Sequence, residues 1–105
     1  MTGIGDILRQ AKEMQGKLAE VQEELGRKQV KGSSGGGMVT VTVNGRQEVL
    51  AVKIEPAVFQ SGDIEMLEDL IAAAANDALG QAKGMLEQEM SSLAGGFNLP
   101  GLFGK

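Results

Sequence analysis

The chain has no cysteine, histidine, tryptophan or tyrosine, and only three phenylalanines and two prolines among its 105 residues. Without cysteine there are no disulfides, zinc-thiolate sites or thiol nucleophiles. The added lack of histidine removes the usual general base, and no nucleotide loop or metal-ligand spacing offers a reaction centre instead. The expectation is a protein that works by binding and is not an enzyme, with no cofactor, no metal and no small-molecule substrate. Phe59, Phe97 and Phe103 are too few to build a stacking platform for single-stranded nucleic acid. Long apolar runs are also missing. Asp6 and Glu13 interrupt the N-terminal stretch and the longest run covers only residues 70–75, so neither a signal-peptide core nor a membrane span is expected. A cytoplasmic location follows as the default expectation. Positive charge is in deficit too: the net charge is −4 and the pI near 4.8. That excludes a basic surface over the whole molecule, and any attraction to a polyanion must be local.

What is present is 42% hydrophobic residues in one domain-sized chain. So small a chain buries a modest share of its surface, and association is the usual remedy. From the N-terminus the apolar positions run Ile4, Ile7, Ala11, Met14, Leu18, Val21, Leu25. This three-four alternation holds one stripe over three heptads and predicts a helix with a coiled-coil-like seam. Asp6 suits its first turn and Gly26 its end. A short edge strand is placed near Val30, before a Ser-Gly stretch that acts as a flexible joint.

Alternation is plainest in MVTVTVNGRQEVLAVKI. Asn44-Gly45 predicts a two-residue type I′ hairpin turn. That register sets Val43 opposite Arg46, Val41 opposite Glu48 and Val39 opposite Leu50. Val39, Val41 and Val43 then share an apolar face with Leu50, Val52 and Ile54, while Thr40, Thr42, Gln47, Val49, Ala51 and Lys53 form the wet face. Pro56 ends the hairpin, and Ser61-Gly62-Asp63 starts a second helix carrying Leu67, Leu70, Ile71, Ala74, Ala78, Ala82, Met85 and Leu86 on one stripe. Gly80 and Gly84 weaken it by about 1 kcal/mol each relative to alanine. Gly95-Gly96 is read as its end, giving one domain over residues 1–94 and a flexible tail over residues 95–105. A first helix of about 23 residues is roughly 35 Å long, whereas six-residue strands span about 20 Å. Apolar positions beyond the sheet need a second copy to cover them, so a homodimer is expected.

Lys12, Met14-Gln15, the run from Gly35 through Met38-Val39-Thr40-Val41-Thr42-Val43 to Asn44-Gly45, Val52-Lys53-Ile54-Glu55-Pro56, Glu65-Met66-Leu67-Glu68-Asp69-Leu70 and Asn76-Asp77-Ala78 resemble in order the YbaB/EbfC family of nucleoid-associated proteins. The resemblance covers about nine-tenths of the chain, far more than a short motif supplies. It implies an α+β fold of order α-β-β-β-α, with a small antiparallel sheet flanked by two long helices. It also implies a tweezer-shaped homodimer that binds duplex DNA in the nucleoid with little or no enzymatic chemistry.

Read by themselves, the basic residues form a mixed face. Arg9, Lys12 and Lys17 project opposite the seam, but Asp6, Glu13, Glu20, Glu23 and Glu24 share that side, and Glu13-Lys17, Glu23-Arg27 and Glu24-Lys28 have favourable i,i+4 spacing. Through Lys31 the chain carries six basic and five acidic residues, against four and nine afterwards. Taken with the resemblance, the DNA-contacting candidates are Arg9, Lys12, Lys17, Arg27, Lys28 and Lys31, meeting phosphates with little base readout. The alternative is a scaffold whose arms and tail engage replication or repair proteins. Two other features have plain structural readings. Residues 32–37 lack the Lys-Ser/Thr of a phosphate loop, and Glu65, Glu68 and Asp69 complement a helix dipole rather than ligate a metal.

Overall fold

The structure is a computed structural model that describes residues 3–97. Helix α1 (Ile4–Arg27) leads into strands β1 (Gln29–Ser34), β2 (Val39–Asn44) and β3 (Val49–Ile54). A one-turn helix α2 (Pro56–Gln60) follows, and then α3 (Ile64–Phe97). The strands form one antiparallel sheet in the order β1-β2-β3. This is the α+β order expected from the sequence, with α2 added where Pro56 takes the first helical position.

The core is a sandwich of α3 on β1 and β2. Val39, Val41 and Val43 all point to the helix and are buried. They meet Ala74, Ala78 and Ala82, spaced i,i+4 along α3 and equally buried. Small side chains on that stripe let the helix backbone come close to the sheet. The approach is tightest at Gly32, where a β-carbon would lie 2.3 Å from the Ala78 nitrogen and 2.5 Å from the Ala74 oxygen. The strand near Val30 is therefore a full member of the sheet, with Val30 paired to Val43 and Gly32 to Val41. The stretch read as a flexible joint is a defined turn. Gly35, Gly36 and Gly37 have φ of 61°, 68° and 99°, values that side-chain-bearing residues rarely adopt.

The β2-β3 turn differs from the type I′ expectation. Residues 45–47 form a three-residue loop, closed by the Gln47 N–H on the Asn44 carbonyl and the Asn44 N–H on the Glu48 carbonyl, both at 3.0 Å. The left-handed residue is Gln47, at φ 65°, and Gly45 is not left-handed. The expected pairs Val43–Arg46, Val41–Glu48 and Val39–Leu50 are replaced by Val43–Val49, Val41–Val52 and Val39–Ile54, with Leu50 the extra residue of a bulge. Val49 thus joins the helix-facing side rather than the wet one. The physical reason lies at Asn44, which is 3% exposed. Its Oδ1 accepts from the N–H groups of Arg46 and Glu48, both at 3.0 Å. Its Nδ2 donates to Glu48 Oε1 at 2.6 Å and to the Gly26 carbonyl at 3.3 Å. A two-residue turn has no room for this side-chain network.

α3 begins at Asp63, whose Oδ1 accepts from the Met66 N–H at 3.0 Å. It does not stop at Gly95-Gly96 but continues through both, and through Gly80 and Gly84, to Phe97. Residues 95–97 of the expected tail are therefore helical, and the rest of that tail lies outside the described residues. At 34 residues the helix is about 51 Å long, well past the sheet. α1 leaves the same end of the sheet. The described molecule consequently measures 71 × 28 × 16 Å.

Candidate nucleic-acid interface

The α1 arm is held at its root and bare at its tip. Leu25 is buried against the β2-β3 turn, and Gly45 donates its N–H to the Leu25 and Lys28 carbonyls at 2.8 and 3.1 Å. A β-carbon on Gly45 would lie 2.8 Å from Leu25 Cδ2, so glycine is required there for close approach. Along the seam Val21, Leu18 and Met14 are half-buried, Ala11 is exposed, and Ile7 and Ile4 are 59% and 74% exposed. β3 shows a second uncovered apolar surface. Because α3 packs chiefly on β1 and β2, Val49, Leu50 and Val52 remain about half exposed.

The six basic candidates do not form one patch. Arg9, Lys12 and Lys17 are strung along the exposed side of α1, while Arg27, Lys28 and Lys31 cluster at its junction with β1. Arg9 is ion-paired to Asp6 at 3.2 Å. Lys28 Nζ donates to Glu89 of α3 at 3.0 Å. That hydrogen bond, reinforced by the Glu89 charge, raises the Lys28 pKa and ties the root of one arm to the other. Among the described residues Lys12, Lys17, Arg27 and Lys31 have no carboxylate within 4.0 Å. The i,i+4 pairs suggested by the sequence are therefore open, which leaves these four cations available. The Arg46–Glu48 pair at 3.4 Å lies at the turn. There the Asn44 amide first, and the Arg46 charge second, hold the Glu48 carboxyl below its ordinary pKa.

A lysine outside the candidate set also stands out. Lys53 is exposed on β3, opposite Thr40, on the face of the sheet turned away from α3. Its signal in the sequence was strand parity, since it alternates with the helix-facing Val52 and Ile54. Glu65 and Asp69 line an open groove beside the glycine turn, and no three acidic residues among those described are placed to hold a metal ion.

A model of the YbaB/EbfC DNA-binding family matches residues 1–97. The chain belongs to that family. It is 54% identical over 99 residues to nucleoid-associated protein DP1429 of Desulfotalea psychrophila, spanning 94% of this chain and 93% of that one. It is also 56% identical over 95 residues to a nucleoid-associated protein of Syntrophobacter fumaroxidans, covering 90% and 86%. The fold resembles the crystal structure of the uncharacterized protein HP0035 from Helicobacter pylori with a TM-score of 0.73, over 92% of this chain and 98% of that one. At 22% identity that likeness concerns the fold alone. The family is one of DNA-binding, nucleoid-associated proteins and not of enzymes, and no helix among the described residues is long and apolar enough to cross a membrane.

Proposed function

We propose that two copies of this chain associate and bind duplex DNA in the nucleoid, through phosphate contacts that carry little base information. Membership of a DNA-binding family and the names of its relatives support the DNA half of this reading. The dimer half is carried by one observation, the apolar surface left uncovered on the α1 seam and on β3. A single copy exposing Ile4, Ile7, Leu50 and Val52 pays for it in solvation, and a second copy related by a twofold axis covers the same residues on both. Two copies also double the number of cations facing one duplex, which matters when each copy has a net charge of −4. Lys12, Lys17 and Arg27 are the arm residues best placed for phosphate, because their charges are not already neutralised.

The test combines light scattering with fluorescence anisotropy on a labelled duplex. The protein should run at twice the chain mass and bind DNA. Replacing Lys12, Lys17 and Arg27 together by glutamine should leave the mass unchanged while lowering the slope of log affinity against log salt by about three. A monomer at micromolar concentration contradicts the dimer, and unchanged DNA affinity in the triple variant contradicts the arm contacts.

A further inference from the structure

The open face of the sheet is where positive charge stands least opposed. Strand pairing places Lys31, Thr42 and Ala51 in one row across this face and Ser33, Thr40 and Lys53 in the next. All six side chains point away from α3, which packs on the opposite side through Val39, Val41 and Val43. Lys31, Ser33, Ala51 and Lys53 are exposed, and Thr40 and Thr42 are half-buried only as members of the central strand. No residue of β1, β2 or β3 is acidic. The carboxylates nearest in sequence, Glu48 and Glu55, lie beyond the two ends of β3, and Glu48 is held by Asn44. Asp77 of α3 reaches the outer edge of β1, where its Oδ2 accepts the Ser33 N–H at 3.1 Å. In a molecule with fourteen acidic residues, a three-strand face bearing two lysines, three hydroxyls and no carboxylate is an exception to the general charge balance.

We propose that this face is a second docking surface for the backbone of duplex DNA, with Lys31 and Lys53 each meeting a separate phosphate and Ser33, Thr40 and Thr42 offering hydroxyl donors between them. The inference rests on the DNA-binding reading and adds Lys53 and the sheet to the arms. Two strand spacings across and two residues along put the lysine α-carbons about 12 Å apart. That is close to the width of a major groove, so side chains standing straight out from the sheet meet separate phosphates. The contacts are to backbone oxygens, so they hold the duplex without selecting its sequence. Charge complementarity favours a polyanion here over an apolar partner, because the six residues of these two rows include no large hydrophobic side chain.

The experiment is a salt titration of duplex-DNA binding by the full chain, comparing wild type with a Lys31→Gln, Lys53→Gln double variant and a Lys31→Arg, Lys53→Arg double variant. Both positions are exposed, so light scattering and circular dichroism should match wild type. The glutamine pair should lower the slope of log affinity against log salt by about two, to a similar extent on unrelated duplexes, and the arginine pair should retain it. Ala51→Glu, which adds a carboxylate two residues from Lys53 and in the same row as Lys31 without removing either lysine, should weaken binding as well. If wild type binds with a normal salt slope while the glutamine pair and Ala51→Glu bind equally well, the sheet face is overturned and the arms stand. A wild type that binds no duplex DNA overturns the underlying reading and this one with it.

Discussion

Replacing Gly45 by valine is expected to lower stability by at least about 2 kcal/mol in chemical denaturation, because the added atoms would overlap Leu25 where the backbone of the turn touches the end of α1. Asn44→Ala should cost about 1–3 kcal/mol by orphaning the Arg46 and Glu48 N–H groups and the Gly26 carbonyl. The sequence made both residues conspicuous but for a different reason. Asn-Gly suggested left-handed conformations at both, whereas the structure uses a side-chain network at one and close approach at the other. Only three-dimensional contact with Leu25 decides between these, and that contact spans about twenty positions of chain. The same cluster sets an acid response. Glu48 has a lowered pKa in the folded state, so its contribution is present above the ordinary carboxylate pKa and is lost as pH falls through the lowered value. Thermal unfolding followed from neutral to acidic pH should therefore show a destabilisation that is smaller in Asn44→Ala than in wild type. Lys28 works in the opposite sense, since its raised pKa makes its contribution full below the ordinary lysine value and lost only in strong alkali.

Among the elements, β1 and α3 depend on each other most closely. A methyl group at Gly32 would collide with the α3 backbone rather than with a movable side chain, so Gly32→Ala should push the helix off the sheet. The expected outcome is a loss of at least about 2 kcal/mol and faster amide exchange in β1, read by denaturation and hydrogen exchange. α3 also caps the outer edge of β1, with Gln81 Nε2 on the Lys31 carbonyl at 2.8 Å and Asp77 on the Ser33 N–H. β1 is thereby shielded from adventitious pairing. Much of this level was legible beforehand. Period-two valines placed β2, the heptad seam placed α1, and the alanine stripe placed the buried side of α3. The bulge was not legible, because β3 opens with four apolar residues in succession, Val49 to Val52, and gives no alternation to mark the shift in register. Two further features were not legible. α2 is too short to show a helical period, and the passage of α3 through four glycines goes against their low propensity, which packing of its first half on the sheet overrides.

At the scale of the whole molecule, the proposed function depends on what a single copy leaves unsatisfied among the described residues: an apolar seam, an uncovered β3, and a few unpaired cations in an acidic protein. Here the sequence alone was least informative. Six basic residues were candidates, but their charges did not say which were already paired, and among the described residues the structure commits Arg9 and Lys28 to carboxylates while leaving Lys12, Lys17, Arg27 and Lys31 open. Lys53, read only as part of the wet face, was left out of that set because it is remote in sequence from the other cations and nears Lys31 only through the sheet. Repulsion from the acidic residues opposes every phosphate contact, so affinity should be modest and strongly dependent on ionic strength. The most direct test of the central claim is duplex-DNA affinity as a function of salt on several unrelated sequences. Phosphate binding by a homodimer predicts parallel lines of log affinity against log salt, all falling steeply, with offsets between sequences of less than about tenfold. Binding that ignores salt, or that favours one sequence by about a thousandfold or more, would contradict it.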